Sequence, residues 1–465
     1  MESAVRRGGR VFGLLTKAGI VMSLISLSLF ARAGFSPAGE KTLTLEEAYR
    51  LAIENHETVK TAAEAVARAE SNVDKATSRL LPSITAGAGY TRYTEKKLSG
   101  TLAIQPDDAS SLDLKISQPL YSGGREWSAR RQAKMGMEIS MLGLESAREN
   151  IILSTANAYF GALKARKDVE IKDAALKRAM ERGKLASANF KAGMVTRTAV
   201  LRAEAESSGA EAGLTKARSR LLDAKNNLRR LVGGVEDISV EEPLPHVFNE
   251  ARVEDLVKMA LENRRAYKQS ALDEKVAGEG ISYAEGNFLP SLSLKGEYSH
   301  RDQDPQTAFF VENSTSASVV LTYPIFEGGL RKAELSEARS RFRESELRRL
   351  SLKGDIEVEV MEAYNNRAAV RAVIDSYEKQ RSFAEEDYKM VFEQYRWGLA
   401  TTLDVIDADT TLISAQRSLM NARYDFELAD LQLKYSTGTL LDDVLKMHAG
   451  RPERDKTGSF QGHKE

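Results

Sequence analysis

The feature that most restricts how this chain can fold is that it is written twice. Leu51, Ala52, Ile53, Glu54 and Asn55 return 208 positions later as Met259, Ala260, Leu261, Glu262 and Asn263, and Leu81, Pro82 and Ser83 return at the same offset as Leu289, Pro290 and Ser291. Further on the offset becomes 205, so that Pro119, Leu120, Tyr121, Gly123 and Gly124 match Pro324, Ile325, Phe326, Gly328 and Gly329. The three-residue difference falls in a loop between two strand-like segments. The 465 residues therefore divide by duplication of one plan and not into unrelated domains.

Proline outlines that plan, because it cannot sit inside a helix or a central strand without cost. Pro82, Pro119, Pro290 and Pro324 flank strand-like segments, Pro106 and Pro305 fall between them, and Pro243 and Pro245 separate the halves. No proline occurs between Pro119 and Pro243, or between Pro324 and Pro452. Each of these stretches is helical in composition. The run from Arg125 to Lys191 predicts a helix of about 100 Å, longer than any small globular domain can contain. Gly193 and Gly398 are the natural stops before a second helix returns. On the returning helix Ala408, Leu412, Ala415, Leu419, Ala422, Phe426, Ala429 and Leu433 step by four and three, a heptad seam of alternating small and large residues. The same frame in the first half reads Ala203, Ser207, Ala210, Leu214, Ala217, Leu221, Ala224 and Leu228.

Between the paired prolines the period is two. Leu112, Leu114 and Ile116 alternate with Asp113, Lys115 and Ser117; Leu292, Leu294 and Tyr298 with Ser293, Lys295, Glu297 and Ser299; Ala317, Val319, Leu321 and Tyr323 with Ser316, Ser318 and Thr322. The segment from Ser83 to Thr94 is rich in Gly and Ala and less legible. A half-buried soluble sheet also alternates. Two features favour a membrane: the segments have the ~9–11 residues of a tilted spanning strand, and Tyr90, Tyr93, Tyr121, Tyr298 and Tyr323 are placed near strand ends like interfacial girdles. Four strands cannot close a barrel, which needs about eight, so a membrane reading requires identical chains to share one.

Arg6, Arg7, Arg10 and Lys17 precede an apolar run from Gly19 to Phe30 and then Ala31, Arg32 and Ala33, which reads as a secretory signal. Without its first 33 residues the chain keeps 62 basic against 66 acidic side chains, and no basic stripe with interleaved aromatics suggests nucleic acid as a partner. Cysteine is absent, which excludes disulfides, thiolate metal sites and a lipid-bearing N-terminal Cys. His56, His246, His300, His448 and His463 are scattered without ligand spacing, so no metal or other cofactor is expected. The glycine pairs 123–124 and 328–329 lack the Gly-Lys-Ser/Thr of a phosphate loop. No nucleophile and base stand together, and the expectation is a protein that is not an enzyme.

The succession of helix, strand pair, long helix, Gly turn and returning heptad helix resembles the TolC family of outer membrane efflux proteins, from Leu43 to Gly438. The motifs that carry the resemblance are Leu-Pro-Ser before a strand, Gln118, Pro119, Leu120, Tyr121, Ser122, Gly123 and Gly124 after one, and Tyr395, Gly398, Thr402, Asp404, Val405, Asp407 and Ala408 at the turn. The resemblance implies a mostly α fold with a membrane β-barrel share: long helical hairpins forming an α-barrel, and four strands per protomer of a 12-stranded trimeric β-barrel. It implies a homotrimer in outer membrane lipid that extends into the periplasm. Such an exit duct of a tripartite efflux or type I secretion system meets a periplasmic adaptor protein and an inner-membrane transporter of the RND, ABC or MFS type.

At the tip it implies a periplasmic gate of Asp404, Asp407 and Tyr395, and adaptor-docking turns at Gly193, Thr198, Gly398 and Thr402. The sequence departs from the family gate at Ala400, where an Arg is expected, and at Ala199, where an Asp is expected; Arg197 or Arg396 could substitute. A helix cap is the other reading of Asp404 and Asp407. The expected organisation is a signal peptide at 1–33, a first repeat at 34–242, a second at 243–448 and a polar tail at 449–465. The alternative function is a periplasmic coiled-coil tether or scaffold without a pore.

Overall fold

The computed structural model describes residues 41–234, 238–243, 251–307 and 309–449. The expected signal peptide and all but the first residue of the expected polar tail lie outside them. The first half contains β1 (Lys41–Leu43), α1 (Leu45–Asn55), α2 (Glu57–Ser78), β2 (Ser83–Arg92), β3 (Lys97–Ser99), β4 (Leu102–Gln105), β5 (Asp108–Ser122), α3 (Arg125–Lys191), α4 (Arg197–Leu231) and β6 (Ile238–Val240). The second contains α5 (Val253–Asn263), α6 (Arg265–Gly286), β7 (Ser291–Asp304), β8 (Asn313–Thr322), α7 (Leu330–Arg396), α8 (Thr402–Ser436) and α9 (Leu440–Ala449). Matching helices have equal lengths: 11 residues in α1 and α5, 22 in α2 and α6, 67 in α3 and α7, and 35 in α4 and α8.

At 1.5 Å per residue, α3 and α7 are each about 100 Å long. Neither stands alone. The heptad seam of α8 is buried along its whole length, from Ala408 to Leu433, against α7 and α3. In α4 the same frame buries Ala203, Leu214, Ala217 and Leu228 and half-buries the other four positions. The shorter helices continue the line of the returning ones. Arg230, at the end of α4, reaches Glu57 at the start of α2 (2.9 Å), and Arg264, before α6, donates to the Ser436 carbonyl at the end of α8 (3.5 Å). Each long helix is thus flanked over most of its length by a column of two shorter ones.

The thickest core lies midway along α3, where Ile152, Tyr159, Phe160 and Leu163 pack with Leu43, Tyr49, Val240, Leu440, Leu441 and Val444. β1 and β6 pair in parallel over this belt. Tyr159 clips both to α3: its hydroxyl lies 2.8 Å from the Leu43 carbonyl oxygen and 2.6 Å from that of Glu241, and it accepts the Glu241 N–H at 3.1 Å. Burial raises its pKa to about 12, the more so beside Glu241 and Glu242, although its backbone hydrogen bond and Arg166 act the other way. A second clip is Arg265, which bridges to Glu145 (3.2 Å) and Glu149 (3.5 Å) on α3 and to Asp442 (2.8 Å) on α9.

At the other end of the long helices the chain passes into a four-stranded antiparallel sheet, ordered β2, β5, β7, β8. The junction is tight at Gly123, with φ of 67°. A Cβ there would stand 2.3 Å from the Gly286 carbonyl oxygen at the end of α6, so only glycine lets the two segments touch.

Pro119 departs from expectation: it lies inside β5 and does not flank it. β2 begins at Ser83, opposite Ser117, so beyond Ser117 one edge of β5 has no strand beside it and a missing N–H costs no ladder bond there. The register with β7 slips between Pro119 and Tyr121, and the Gln118 side-chain amide donates to the Leu80 and Pro119 carbonyls at 3.0 and 2.7 Å.

Candidate pore-forming sheet and periplasmic tip

The register of the sheet sorts its side chains into two faces. On one, Ile84, Ile116, Gly296 and Ala317 stand side by side, followed by Ala86, Leu114, Tyr298 and Thr315. On the other lie Thr85, Lys115, Glu297 and Ser316, flanked by Gly87, Asp113, Ser299 and Ser314. Lys115 and Glu297 pair across the polar face at 3.5 Å. On the apolar face Ile84, Leu112, Leu114, Ile116, Leu294, Val319 and Leu321 are all exposed.

A soluble sheet covers such a face with a helix or a second sheet, and no described helix packs on this one. The outer strands β2 and β8 each leave one edge unpaired in the single chain. An open, apolar edge is a template for another strand. Among the described residues no helix is long and apolar enough to cross a membrane.

Tyr90 lies two residues from the end of β2, and Tyr121 and Tyr323 also lie near strand ends. Tyr298 does not: β7 runs on to Asp304, paired there with Asp108, which leaves Tyr298 in mid-strand opposite Leu114. The hairpin of β3 and β4, with Leu98, Leu102 and Ile104 exposed, had no signal in the alternation because its strands are only three and four residues long.

At the opposite end the two helical hairpins turn alike. Gly193 and Gly398 have φ of 76° and 75°. The N–H of Met194 donates to the Asn189 carbonyl (2.9 Å) and that of Leu399 to the Gln394 carbonyl (2.8 Å), the Schellman pattern that closes a helix through a left-handed residue.

The helices that follow start differently. Thr401 caps α8: its Oγ1 accepts the Asp404 N–H at 3.3 Å, and Asp404 Oδ2 accepts the Thr401 N–H at 2.7 Å, a reciprocal capping box. The Thr401 hydroxyl also donates to Asp404 Oδ2 at 2.7 Å, and this bond, then that from the Thr401 N–H, holds the Asp404 carboxyl below its ordinary pKa. The equivalent Thr196 makes no side-chain cap bond, and Ala199, standing where Asp404 would, has no carboxylate to return one. One departure from the family pattern therefore has a visible local consequence.

The structure brings the expected tip residues to one place without giving them one environment. Asp404 and Asp407 are exposed on the first turns of α8. Tyr395 is buried under the turn, 3.5 Å from the Thr402 hydroxyl, and packs with Val405 and Ala408. Thr198 is exposed, and Thr402 is buried. Of the two candidate arginines, Arg396 is paired with Glu393 at 3.0 Å, while Arg197 is exposed at the start of α4. Met194, Trp397, Leu399 and Leu403 form an exposed apolar rim around the two turns.

About three turns above the tip is a buried polar junction that the sequence reading missed. Arg182, on α3, is fully buried. It donates to Asp409 on α8 at 2.8 Å, to the Tyr388 hydroxyl on α7 at 3.3 Å, and to Glu206 on α4. Arg178 donates to the other Asp409 oxygen at 2.7 Å, and its guanidinium stands over the Tyr388 ring. Burial works against the charge of Arg182, but Glu206 and Asp409 outweigh it and raise its pKa. One side chain thereby ties together all four helices of the two hairpins. The available signal was Arg178 and Arg182 spaced by four, on a helix whose Ala175, Ala179 and Ala186 are buried.

The family model described as outer membrane efflux protein matches residues 48–234 and 256–439. The chain is 27% identical over 443 residues to outer membrane protein TolC of Escherichia coli, covering 91% of this chain and 87% of that protein. It is 25% identical over 387 residues to the alkaline protease secretion protein AprF of Pseudomonas aeruginosa, covering 80% and 78%. Its fold is similar to the crystal structure of the Campylobacter jejuni CmeC outer membrane channel, with a TM-score of 0.73 at 18% identity over 87% of this chain and 89% of that one.

Proposed function

Since the chain belongs to the outer membrane efflux protein family, and its work is that of an outer-membrane exit duct for efflux or secretion, we propose that it acts as a homotrimer within a tripartite assembly. It resides in the outer membrane and extends into the periplasm. Members of the family are channels and ducts. The observation that carries the proposal is the four-stranded sheet with one bare apolar face and two open edges. Three copies, joined β8 to β2, supply 12 strands, enough to close a barrel with the apolar face toward lipid and the Lys115–Glu297 face toward the lumen. The helical hairpins continue the wall into the periplasm.

The test is the location and detergent-corrected native mass of the mature protein. A species of three chains, extracted only from the outer membrane, is expected. A soluble periplasmic monomer would refute both the barrel and the trimer.

At the periplasmic end, three copies of Asp404 and Asp407 would form two rings of three carboxylates, a cation-attracting constriction, with Tyr395 packed behind them. Gly193, Thr198, Gly398 and Thr402, with the rim of Met194, Trp397 and Leu399, would meet the helices of a periplasmic adaptor; an inner-membrane transporter drives the cargo. Because Asp404 is also a cap worth about 1 kcal/mol, Asp407 is the cleaner probe. In planar bilayers Asp407→Ala is expected to lower the preference for cations over anions severalfold. Selectivity and conductance equal to the native pore would rule out a gating role for Asp407.

A further inference from the structure

Beside the core belt, between α1, α3, α8 and α9, lies a cavity of 220 Å³ that the duct reading does not use. For scale, an engineered protein cavity of about 150 Å³ takes up benzene. Its floor is apolar and aromatic, with Tyr49, Phe160, Leu440 and Val444. Its rim is acidic: among the described residues Glu46, Glu241, Glu242, Glu427, Asp430 and Asp443 line it, against the single cation Lys434.

Three of these acids are held by neighbours. Asp430 is 3.0 Å from Arg367 and 3.7 Å from Lys434, Asp443 is 3.5 Å from Lys434, and Glu242 accepts the Tyr424 hydroxyl at 2.7 Å. Glu427 has no hydrogen bond or ion pair among the described residues, although it is half-buried. A second and independent sign is Tyr49, also on the cavity wall. Its hydroxyl is buried with no hydrogen-bond partner among the described residues, and Tyr49 itself is only 3% exposed. A buried polar atom left unsatisfied costs about 1–3 kcal/mol, so the Tyr49 hydroxyl, on the same wall as the half-buried and unpaired Glu427 carboxylate, calls for a ligand that reaches both.

We propose that this cavity binds a small organic ammonium ion with a compact apolar body, its N–H donors on the Glu427 carboxylate and the Tyr49 hydroxyl and its body on Phe160 and Leu440. The charge balance of the rim excludes an anion. A bare metal ion fits poorly, since among the described residues no three His, Cys, Asp or Glu side chains converge closely enough to hold one. Electrostatics agrees with the geometry. Burial, with Asp430 adding to it, pushes the Glu427 pKa up to about 7 against the partial relief of Lys434, so its carboxylate lacks a cation that a bound ammonium would supply.

The experiment is calorimetric titration of the full mature protein in detergent with 2-phenylethylammonium, with 2-phenylethanol as the neutral analogue and Mg²⁺ as the metal control. Saturable binding of the ammonium at one site per chain is expected. Glu427→Gln should weaken it about tenfold or more, as loss of a charge-assisted hydrogen bond does, and Tyr49→Phe severalfold, with the alcohol little changed by either. No saturable binding to the native protein, equal binding to both variants, or displacement by Mg²⁺ would each overturn the proposal. If Glu427→Gln fails to fold, Tyr49→Phe, which keeps the buried ring, decides alone between ammonium and alcohol. None of these readouts depends on transport through the duct.

Discussion

Leu114→Arg is expected to abolish assembly in the outer membrane, while Ser316→Arg leaves it intact. Leu114 sits at the middle of β5, on the face shared with Ala86 and Tyr298, and is exposed in the single chain. If that face meets lipid, an Arg at mid-depth costs about 2–4 kcal/mol. Three copies in one barrel bring the penalty to about 6–12 kcal/mol, comparable with the whole net stability of an ordinary domain. Ser316 stands on the opposite face beside Glu297, where an added Arg meets water and a carboxylate. The check is the amount of trimer recovered from outer membranes for each variant. Equal recovery of both would mean that the alternation of β5 does not face lipid. Failure of Ser316→Arg with tolerance of Leu114→Arg would place the lipid on the other side.

That contrast was legible before the fold was known, because alternation along a strand depends only on the pleat, and the residues that alternate are local. The long helices were legible for the same reason. Freedom from proline, the heptad step and a terminal glycine are all properties of one segment, and α3 begins at Arg125 and ends at Lys191 as those signals indicate. What escaped was whatever depends on a neighbour. Pro119 could be read as a boundary but not as an interior residue of β5, since its acceptance there rests on β2 starting only at Ser83. Tyr298 looked terminal because the strand was measured by its apolar residues, while pairing with β5 carries it on to Asp304. Asp404 carried two readings, cap and gate. The fold supplies the cap through Thr401, and the rings of a gate require three chains together.

The junction around Arg182 is the extreme case, since its five members come from four helices and from positions as far apart as 178 and 409. Arg182→Met is expected to be strongly destabilising, because the substitution keeps most of the volume but leaves Glu206 and half of Asp409 facing each other without the cation between them. Removing one partner of a buried ion pair costs about 3–5 kcal/mol. Arg178 softens the loss by remaining 2.7 Å from Asp409, but it lies on the other carboxylate oxygen, and no ion pair joins it to Glu206 among the described residues. Asp409→Asn should cost less, since an amide oxygen still accepts from one arginine and Glu206 still answers the other. The double variant Arg182→Met with Glu206→Gln should recover part of the single loss, because the stranded carboxylate is then neutral. Thermal unfolding of the helical signal in detergent measures all three. A melting point for Arg182→Met within a degree or two of the native protein would show that water or a neighbouring chain enters the junction and that the four helices are held by their apolar seams alone.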